Sequence, residues 1–341
     1  MWVKGEIFRN LDEAAASARG ELDRATQHSL FNRINWFQRT YVYTAPPGQP
    51  LIVRARAEGS DCWLFLVECG GHAKALASWY TLAFQPVFTG DPSEATKFSL
   101  LVASARRLGK RLSSITLAPM PESDAALICR AFDRARWIAQ SRETTVNWTV
   151  ATTNISFDHY WAQRPGELRS TVKRKTSKFD VETKIFNNFD GNAWASYEAI
   201  YAASWKPEEG SNDFLRDMAL TEGAAGTLRM GLATIGGEAV AAQLWTVENS
   251  HAIIHKLAHL ETAKEQSPGS ILTAALFDHV MTHDRVSLVD FGTGDDRYKS
   301  DWMDNRKPLY TVNLFNPRRP SGLWSAAKAG LSALVGRGGN R

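Results

Sequence analysis

Residues 251–302 read HAIIHKLAHLETAKEQSPGSILTAALFDHVMTHDRVSLVDFGTGDDRYKSDW. The opening run, HAIIHKLAHLE, is β-branched and alternating, and reads as a strand. A polar loop then ends in Ser267-Pro268-Gly269-Ser270. A helix follows in SILTAALFDHVMTH, and VSLVDFG reads as a short buried strand. A strand that stops at a small-residue turn opening a helix leaves several backbone N–H groups unpaired at the helix start. That is a ready seat for a phosphate or pyrophosphate. Gly269 lets backbone approach a ligand closely, and Ser270 is placed to cap or hydrogen-bond. An ordinary helix start has the same look, because proline is common at the first helical position.

The end of the stretch, DFGTGDDRYKSDW, gathers chemistry at the end of a buried strand. Gly292 and Gly294 allow a sharp turn. Asp290 and Asp295 are of the type that orients or deprotonates an acceptor. Tyr298 offers a phenol as acid or donor, and Lys299 suits an anionic group. The competing reading is a turn with a solvated acidic pair and a surface Tyr-Lys. GTGDDR lacks the third glycine of a dinucleotide fingerprint and follows the last strand rather than the first, which argues against a Rossmann site.

Working outward, the second half carries LRMGLATIGG and EAVAAQLWTVENS as strands before HAIIHKLAHLE, with NAWASYEAIYAASW as a helix ahead of them. The first half has a matching order. LIVRARAEG, DCWLFLVEC and KALASWYTLAFQPVF read as antiparallel strands. EATKFSLLVASARRLG is a helix closed by Gly109, LSSITLAPM a strand and SDAALICRAFDRAR a helix. Three hairpin strands, a helix and a strand thus occur twice, without sequence identity between the copies. With 341 residues, this predicts two similar α+β domains joined near residue 155. The expected divisions are 1–155, 156–316 and a basic amphipathic tail, 317–341.

Composition narrows the classes. Hydrophobic content of 44% with 22% charged residues fits a folded soluble protein. A net charge of +4 suits an anionic ligand or membrane surface, and makes nucleic acid an unfavoured main partner. Three cysteines, Cys62, Cys69 and Cys129, form no metal-ligand spacing and fit a reducing cytoplasm. The N-terminus has no continuous apolar core of a signal peptide, and no run approaches the ~20 apolar residues of a spanning helix. The expectation is a cytoplasmic protein, peripheral to the inner membrane face at most. No GxxxxGK[ST], HExxH or GxSxG motif occurs, which sets aside P-loop, zincin and α/β-hydrolase chemistry.

Four further constellations remain open. His251, His255 and His259 sit in a strand context, where four residues span ~13 Å, too far for neighbours to share one metal ion. One of them, His255, is the candidate for a cleft-lining base, and no metal is expected. The run from Arg164 to Lys184 includes Arg169 and Lys173 at helical spacing, fitting a phosphate-bearing acceptor or a solvated face. Trp205 ends a helix before an acidic, glycine-containing loop, and suits stacking on a sugar or plain packing. The tail places Leu323, Ala327, Leu331 and Leu334 on one stripe beside Trp324 and Val335, with Lys328, Arg337 and Arg341 adding charge. It fits an interfacial helix on an anionic leaflet, a helix docked on its own protein, or a frayed end. Arg318 and Arg319 suit either the membrane or an anionic nucleotide regulator.

Trp205, the strand HAIIHKLAHLE, SPG at 267–269 and DFGTGDDRYKSDW at 290–302 together resemble the CelD/BioF2-like acyltransferases. These belong to the GNAT superfamily and are akin in structure to the FemAB peptidoglycan transferases. The resemblance has motifs over roughly residues 150–316, and only a matching element order before that. It implies two tandem GNAT-like domains, each a mixed, mostly antiparallel sheet flanked by helices. It also implies an acyl-coenzyme A donor, acetyl-CoA in the simplest case, with its pyrophosphate on the amides around Ser267, Gly269 and Ser270. Asp290, Gly292, Gly294, Asp295, Tyr298, Lys299 and Trp302 would build the acceptor side. The chain departs from ordinary GNAT enzymes by keeping only the first half of a Q/R-x-x-G-x-G/A loop in Gln266-Ser267-Pro268-Gly269-Ser270-Ile271. The acceptor that the resemblance implies is an amino sugar of an exopolysaccharide or a lipid-linked envelope glycan. A FemAB-type transferase using charged tRNA, and a non-catalytic, nucleotide-sensing protein at the membrane, are the rival readings.

Overall fold

The computed structural model describes residues 3–57 and 59–338. Its elements run β1 (Lys4–Phe8), α1 (Leu11–Ala18), α2 (Ile34–Thr44), β2 (Gln49–Ala57), β3 (Ser60–Cys69), β4 (His72–Ala75), β5 (Val87–Thr89), α3 (Glu94–Gly109), β6 (Ser114–Pro121), α4 (Glu122–Arg134) and β7 (Ile138–Ala151). They continue with α5 (Phe157–Ala162), α6 (Gly166–Phe179), β8 (Glu182–Phe186), α7 (Gly191–Ala202), α8 (Asn212–Ala224), β9 (Leu228–Ile235), β10 (Glu238–Glu248), β11 (His251–His259), α9 (Pro268–Thr282), β12 (Leu288–Thr293), β13 (Asn305–Phe315) and α10 (Pro320–Gly338). The chain divides into two units, Met1–Thr145 with Pro308–Arg341, and Val146–Lys307.

In the first unit the strands lie in the order β1-β2-β3-β4-β6-β13, with β5 on β3. Every pair is antiparallel except β4–β6. In the second, the order is β8-β9-β10-β11-β12-β7, antiparallel except β11–β12. A parallel neighbour requires a crossover connection, which α3 supplies in one unit and α9 in the other. Each unit is therefore α+β, a mixed and mostly antiparallel sheet flanked by helices, as the sequence predicts.

Local chemistry explains the elements that frame the second unit. α9 begins with Pro268, whose missing N–H costs nothing there. Ile271, Leu272, Leu276, Phe277 and Val280 recur at helical spacing and are buried. Phe277 is the centre of an aromatic cluster, with ring centroids 4.9 Å from Tyr160, 5.4 Å from Trp302 and 5.5 Å from Trp245. Such pairs add about 0.5–1.5 kcal/mol each beyond area burial. Gly231 on β9 makes room for α9: a Cβ there would lie 2.9 Å from both Leu272 and Leu276.

The first half departs from its sequence reading at KALASWYTLAFQPVF. β4 ends at Ala75 and pairs β6 in parallel. Beyond it, Ser78 and Thr81 exchange hydrogen bonds in a turn (2.9 and 3.2 Å) that ends any ladder, and pairing resumes only at β5. In the second half α8 went unread, although Ser211 caps it by accepting from the Phe214 amide at 3.2 Å. The tail forms α10, beginning at Pro320. The side chains of Leu331, Leu334, Val335 and Arg337, and all of Arg341, lie outside the described residues. No helix among the described residues is long and apolar enough to cross a membrane.

Candidate active site

The second unit opens where two parallel strands part. β11 pairs β12 over only three positions, His251 with Leu288, Ala252 with Val289 and Ile253 with Asp290. β11 then runs on to His259 beside β10 alone, while Thr293 of β12 pairs Asn147 of β7. Past Ile253, among the described residues, no strand pairs β11 on its β12 side. A sheet edge of this kind can pair an extended ligand. The ladder is further disturbed by a bulge. Trp245 faces Ile254 and Leu244 faces Lys256, so His255 is the extra residue.

The opening leads to the start of α9. Pro268 has no N–H, and the first intrahelical bond is that of the Ile271 amide to Ser267 O (3.2 Å). The amides of Gly269 and Ser270 therefore precede the helical ladder, where an anion is favoured. Ser267 adopts a left-handed backbone, φ 57°, to make this entry, and its side chain caps nothing. The Gly269 carbonyl is fixed from behind by Gln243 Nε2 (3.1 Å) and Thr273 Oγ1 (2.9 Å). One wall is a stack. A Cβ on Gly269 would touch His259 Cδ2 at 3.3 Å, and Trp205 lies on His259 with centroids 4.4 Å apart. Trp205 is 51% exposed, and Lys206 Nζ lies over its ring, 5.5 Å from the centroid.

At the end of β12, Asp290 is buried and accepts from Asn147 Nδ2 (2.9 Å) and the Gly292 amide (2.8 Å). His251 Nε2 lies 3.9 Å away. Burial pushes the Asp290 carboxyl above its ordinary value against these stabilising contacts, and burial lowers His251. Burial also lowers His255 to about 4. It is neutral at pH 7, with Nε2 bonded to Thr246 Oγ1 at 2.8 Å. Tyr298 is 40% exposed, its phenol raised by burial and by Asp296. Lys299 is buried, and its ammonium holds the carbonyls of Gly292 and Thr293. Gly292 and Gly294 have φ of 74° and 105°, which only glycine takes easily.

The remaining sequence candidates scatter. Asp295 is exposed and paired with Arg306 at 2.8 Å. Trp302 is a core residue, 4% exposed against Phe277 and Trp161. Arg169 and Lys173 are exposed on α6, whose inner face carries Leu168, Val172 and Phe179. Arg318 and Arg319 belong to the first unit. Among the described residues, no three His, Cys, Asp or Glu side chains converge as metal ligands.

Sequence reasoning missed a charged group beside Trp205. Glu209 pairs Lys256 (2.9 Å), and Lys256 Nζ lies 5.4 Å from the Tyr201 ring. Glu209 raises the Tyr201 phenol, after burial itself, to about 12. Burial and then Lys256 lower Lys206, which also feels Asp296. Lys256 hides within an apolar strand and Glu209 within an acidic loop, so only the fold brings them together.

Comparison with known proteins agrees with the architecture. Residues 160–300 match the family described as an acetyltransferase (GNAT) domain. FemX superposes with a TM-score of 0.60 at 9% identity, covering 93% of this chain and 98% of FemX. The C-terminal domain ascribed to a lysylphosphatidylglycerol synthetase in Agrobacterium fabrum gives 0.59 at 11% identity, over 92% of this chain and 95% of that domain. L-PGS from Bacillus licheniformis gives 0.50 at 11%, over 81% and 86%. Among curated proteins none is significantly similar in sequence. The second unit thus contains a GNAT-fold domain, and the likeness to the solved structures is one of fold.

Proposed function

We propose that the chain transfers an acyl group, acetyl in the simplest case, from acyl-coenzyme A to the amine of an amino sugar in an exopolysaccharide or envelope glycan precursor. The observation that carries this is the parting of β11 and β12 toward the α9 start. An extended pantetheine-like arm fits the edge of β11 past Ile253, where β12 no longer pairs it, and its pyrophosphate fits the Gly269 and Ser270 amides. The CelD/BioF2-like motifs add the acceptor class, and the half-exposed ring of Trp205 suits a sugar.

The chemistry follows from the side chains at the opening. An ammonium acceptor must lose a proton before its nitrogen attacks the thioester carbon. Asp290, with its carboxyl raised by burial, is the base we favour, and His255 is the other candidate. The new C–N bond forms as the C–S bond breaks, and backbone N–H groups of β11 near the His255 bulge steady the oxyanion. Tyr298 keeps its proton through the neutral range and gives it to the leaving thiolate. In this reading Lys299 and the two glycines shape the turn, while Trp205 and Lys206 meet the acceptor.

The exposed basic face of α6, with Arg169, Lys173, Arg174 and Lys178, favours a second reading in which the donor is a charged tRNA. Titration calorimetry with acetyl-CoA separates the two. Binding by the wild type that Gly269→Glu loses supports the first. Binding of tRNA that weakens steeply with salt, without acetyl-CoA binding, supports the second.

A further inference from the structure

The first unit carries a cationic groove that acyl transfer leaves unused. It encloses about 590 Å³ along α3 and β1, with Phe98 and Val102 on its floor. Arg106, Arg107 and Lys110 reach it from the end of α3, and Arg134 from the end of α4. Among the described residues no acidic side chain lines it. Among the described residues none of the four cationic side chains makes a hydrogen bond or ion pair. A third segment adds another cation at the same corner. Arg319 Nη2 donates to the Lys110 carbonyl at 2.6 Å. Cations at one helix end are ordinary complements of its dipole. Here two helix ends and a turn after β13 converge, and like charges gathered without counter-charges repel unless an anion joins them.

Beside this corner the apolar surface is unusual. The Leu323 amide bonds Arg319 O (3.0 Å), which sets Leu323 one helical turn from the arginine. Leu323 is 54% exposed, and its neighbour Trp324 74%. Buried Ala326 and the bond of Ser321 Oγ to Ser113 Oγ (2.7 Å) hold the start of α10 on the unit. Cations beside exposed leucine and tryptophan match an anionic bilayer, whose phosphates meet the charges while the apolar pair enters the headgroup boundary. A soluble nucleotide would use the cations and leave Leu323 and Trp324 without a role.

We propose that this face of the first unit, the groove of Arg106, Arg107, Lys110 and Arg134 with Arg319, Leu323 and Trp324 at its corner, docks on an anionic lipid surface. It is independent of the acyl-transfer reading. The test is co-sedimentation of the full chain with phosphatidylcholine vesicles, with and without phosphatidylserine. Binding should require phosphatidylserine and fall as salt rises. Arg106→Gln with Arg134→Gln should weaken it at least about tenfold. These residues are exposed and, among the described residues, unpaired, so the fold is kept. Trp324→Ala should weaken it separately and remove a blue shift in tryptophan emission. Equal binding to both vesicle types, no binding to either, or retention by the arginine pair variant overturns the proposal. Binding of free pyrophosphate or ATP without vesicle binding also overturns it and makes the groove a soluble-anion site.

Discussion

The ammonium of Lys299 reaches back to the carbonyl of Thr293 at 2.5 Å, and to that of Gly292 at 3.3 Å. The turn after β12 is thus tied by its own lysine, and Asp296 lies 3.9 Å from the same nitrogen. Lys299→Met keeps length and apolar stem but leaves both carbonyls without this donor. An unsatisfied buried polar group costs about 1–3 kcal/mol. The variant should show a lower urea midpoint of that size with unchanged slope. A fully stable variant that loses only turnover would instead place Lys299 on the substrate.

Gly231→Ala probes how α9 is seated. The new methyl would press on Leu272 and Leu276 Cδ1, each 2.9 Å from its position. The helix or its leucines must move, and overpacking of this kind costs about 1–3 kcal/mol. Because α9 carries the Gly269–Ser270 amides, acetyl-CoA affinity should fall along with the thermal midpoint. Leu276→Ala in the same chain should restore part of both.

Much of this was legible in the sequence, for local reasons. β9, β10 and β11 are apolar runs of strand length punctuated by Gly236-Gly237 and Asn249-Ser250, whose positive φ values make the hairpins. α3 spans Glu94–Gly109 in the sequence reading and in the structure, because Gly109 marks its end, and the structure adds Ser93 as its N-cap. α9 starts two residues before its reading, at Pro268, since the proline belongs to the first turn. What stayed hidden depends on pairing between distant residues. Asn147 holds Asp290 across 143 positions, and nothing in TTVNWTVATTN marks that asparagine. The parting of β11 from β12 has no local signature, because both segments are good strands. Trp302 falls within the acceptor motif, yet its indole completes the Phe277 cluster, and its carbonyl accepts from Tyr160 (2.9 Å) and Arg164 (3.0 Å).

His255 makes stability depend on pH. Its folded value is about 4, against 6.5 for an ordinary histidine. Between these values the unfolded chain binds a proton that the folded chain refuses. Stability from this group is present above about 6.5 and is lost as pH falls toward 4. At about 1.4 kcal/mol per pKa unit the limit is a few kcal/mol. His251, also lowered, acts in the same sense, whereas Asp290, raised, loses stability as pH rises. His255→Gln keeps a partner for Thr246 without a titrating ring. Denaturation at several pH values should show a flatter slope for this variant than for wild type across the window. Parallel curves would mean that His255 takes up its proton in the fold.

Trp205 and Lys206 are adjacent residues with separable tasks. Trp205 packs on His259, behind which lies Gly269, and its ring lies 5.5 Å from Lys206 Nζ. Lys206 is half-buried, and among the described residues its ammonium makes no hydrogen bond or ion pair. Trp205→Ala should raise the acceptor KM about three- to tenfold, the cost of one aromatic contact of about 0.5–1.5 kcal/mol, while Trp205→Phe should restore most of it. Lys206→Met should raise KM for phosphorylated amino sugars more than for neutral ones. The check is thiol release from acetyl-CoA with glucosamine and with glucosamine phosphate, alongside calorimetric acetyl-CoA binding. An unchanged acceptor KM with weakened acetyl-CoA binding in Trp205→Ala would assign the Trp205–His259–Gly269 stack to the donor. The aromatic would then act by holding the α9 entry in place, and the acceptor would have to approach from the Tyr298 side of the opening.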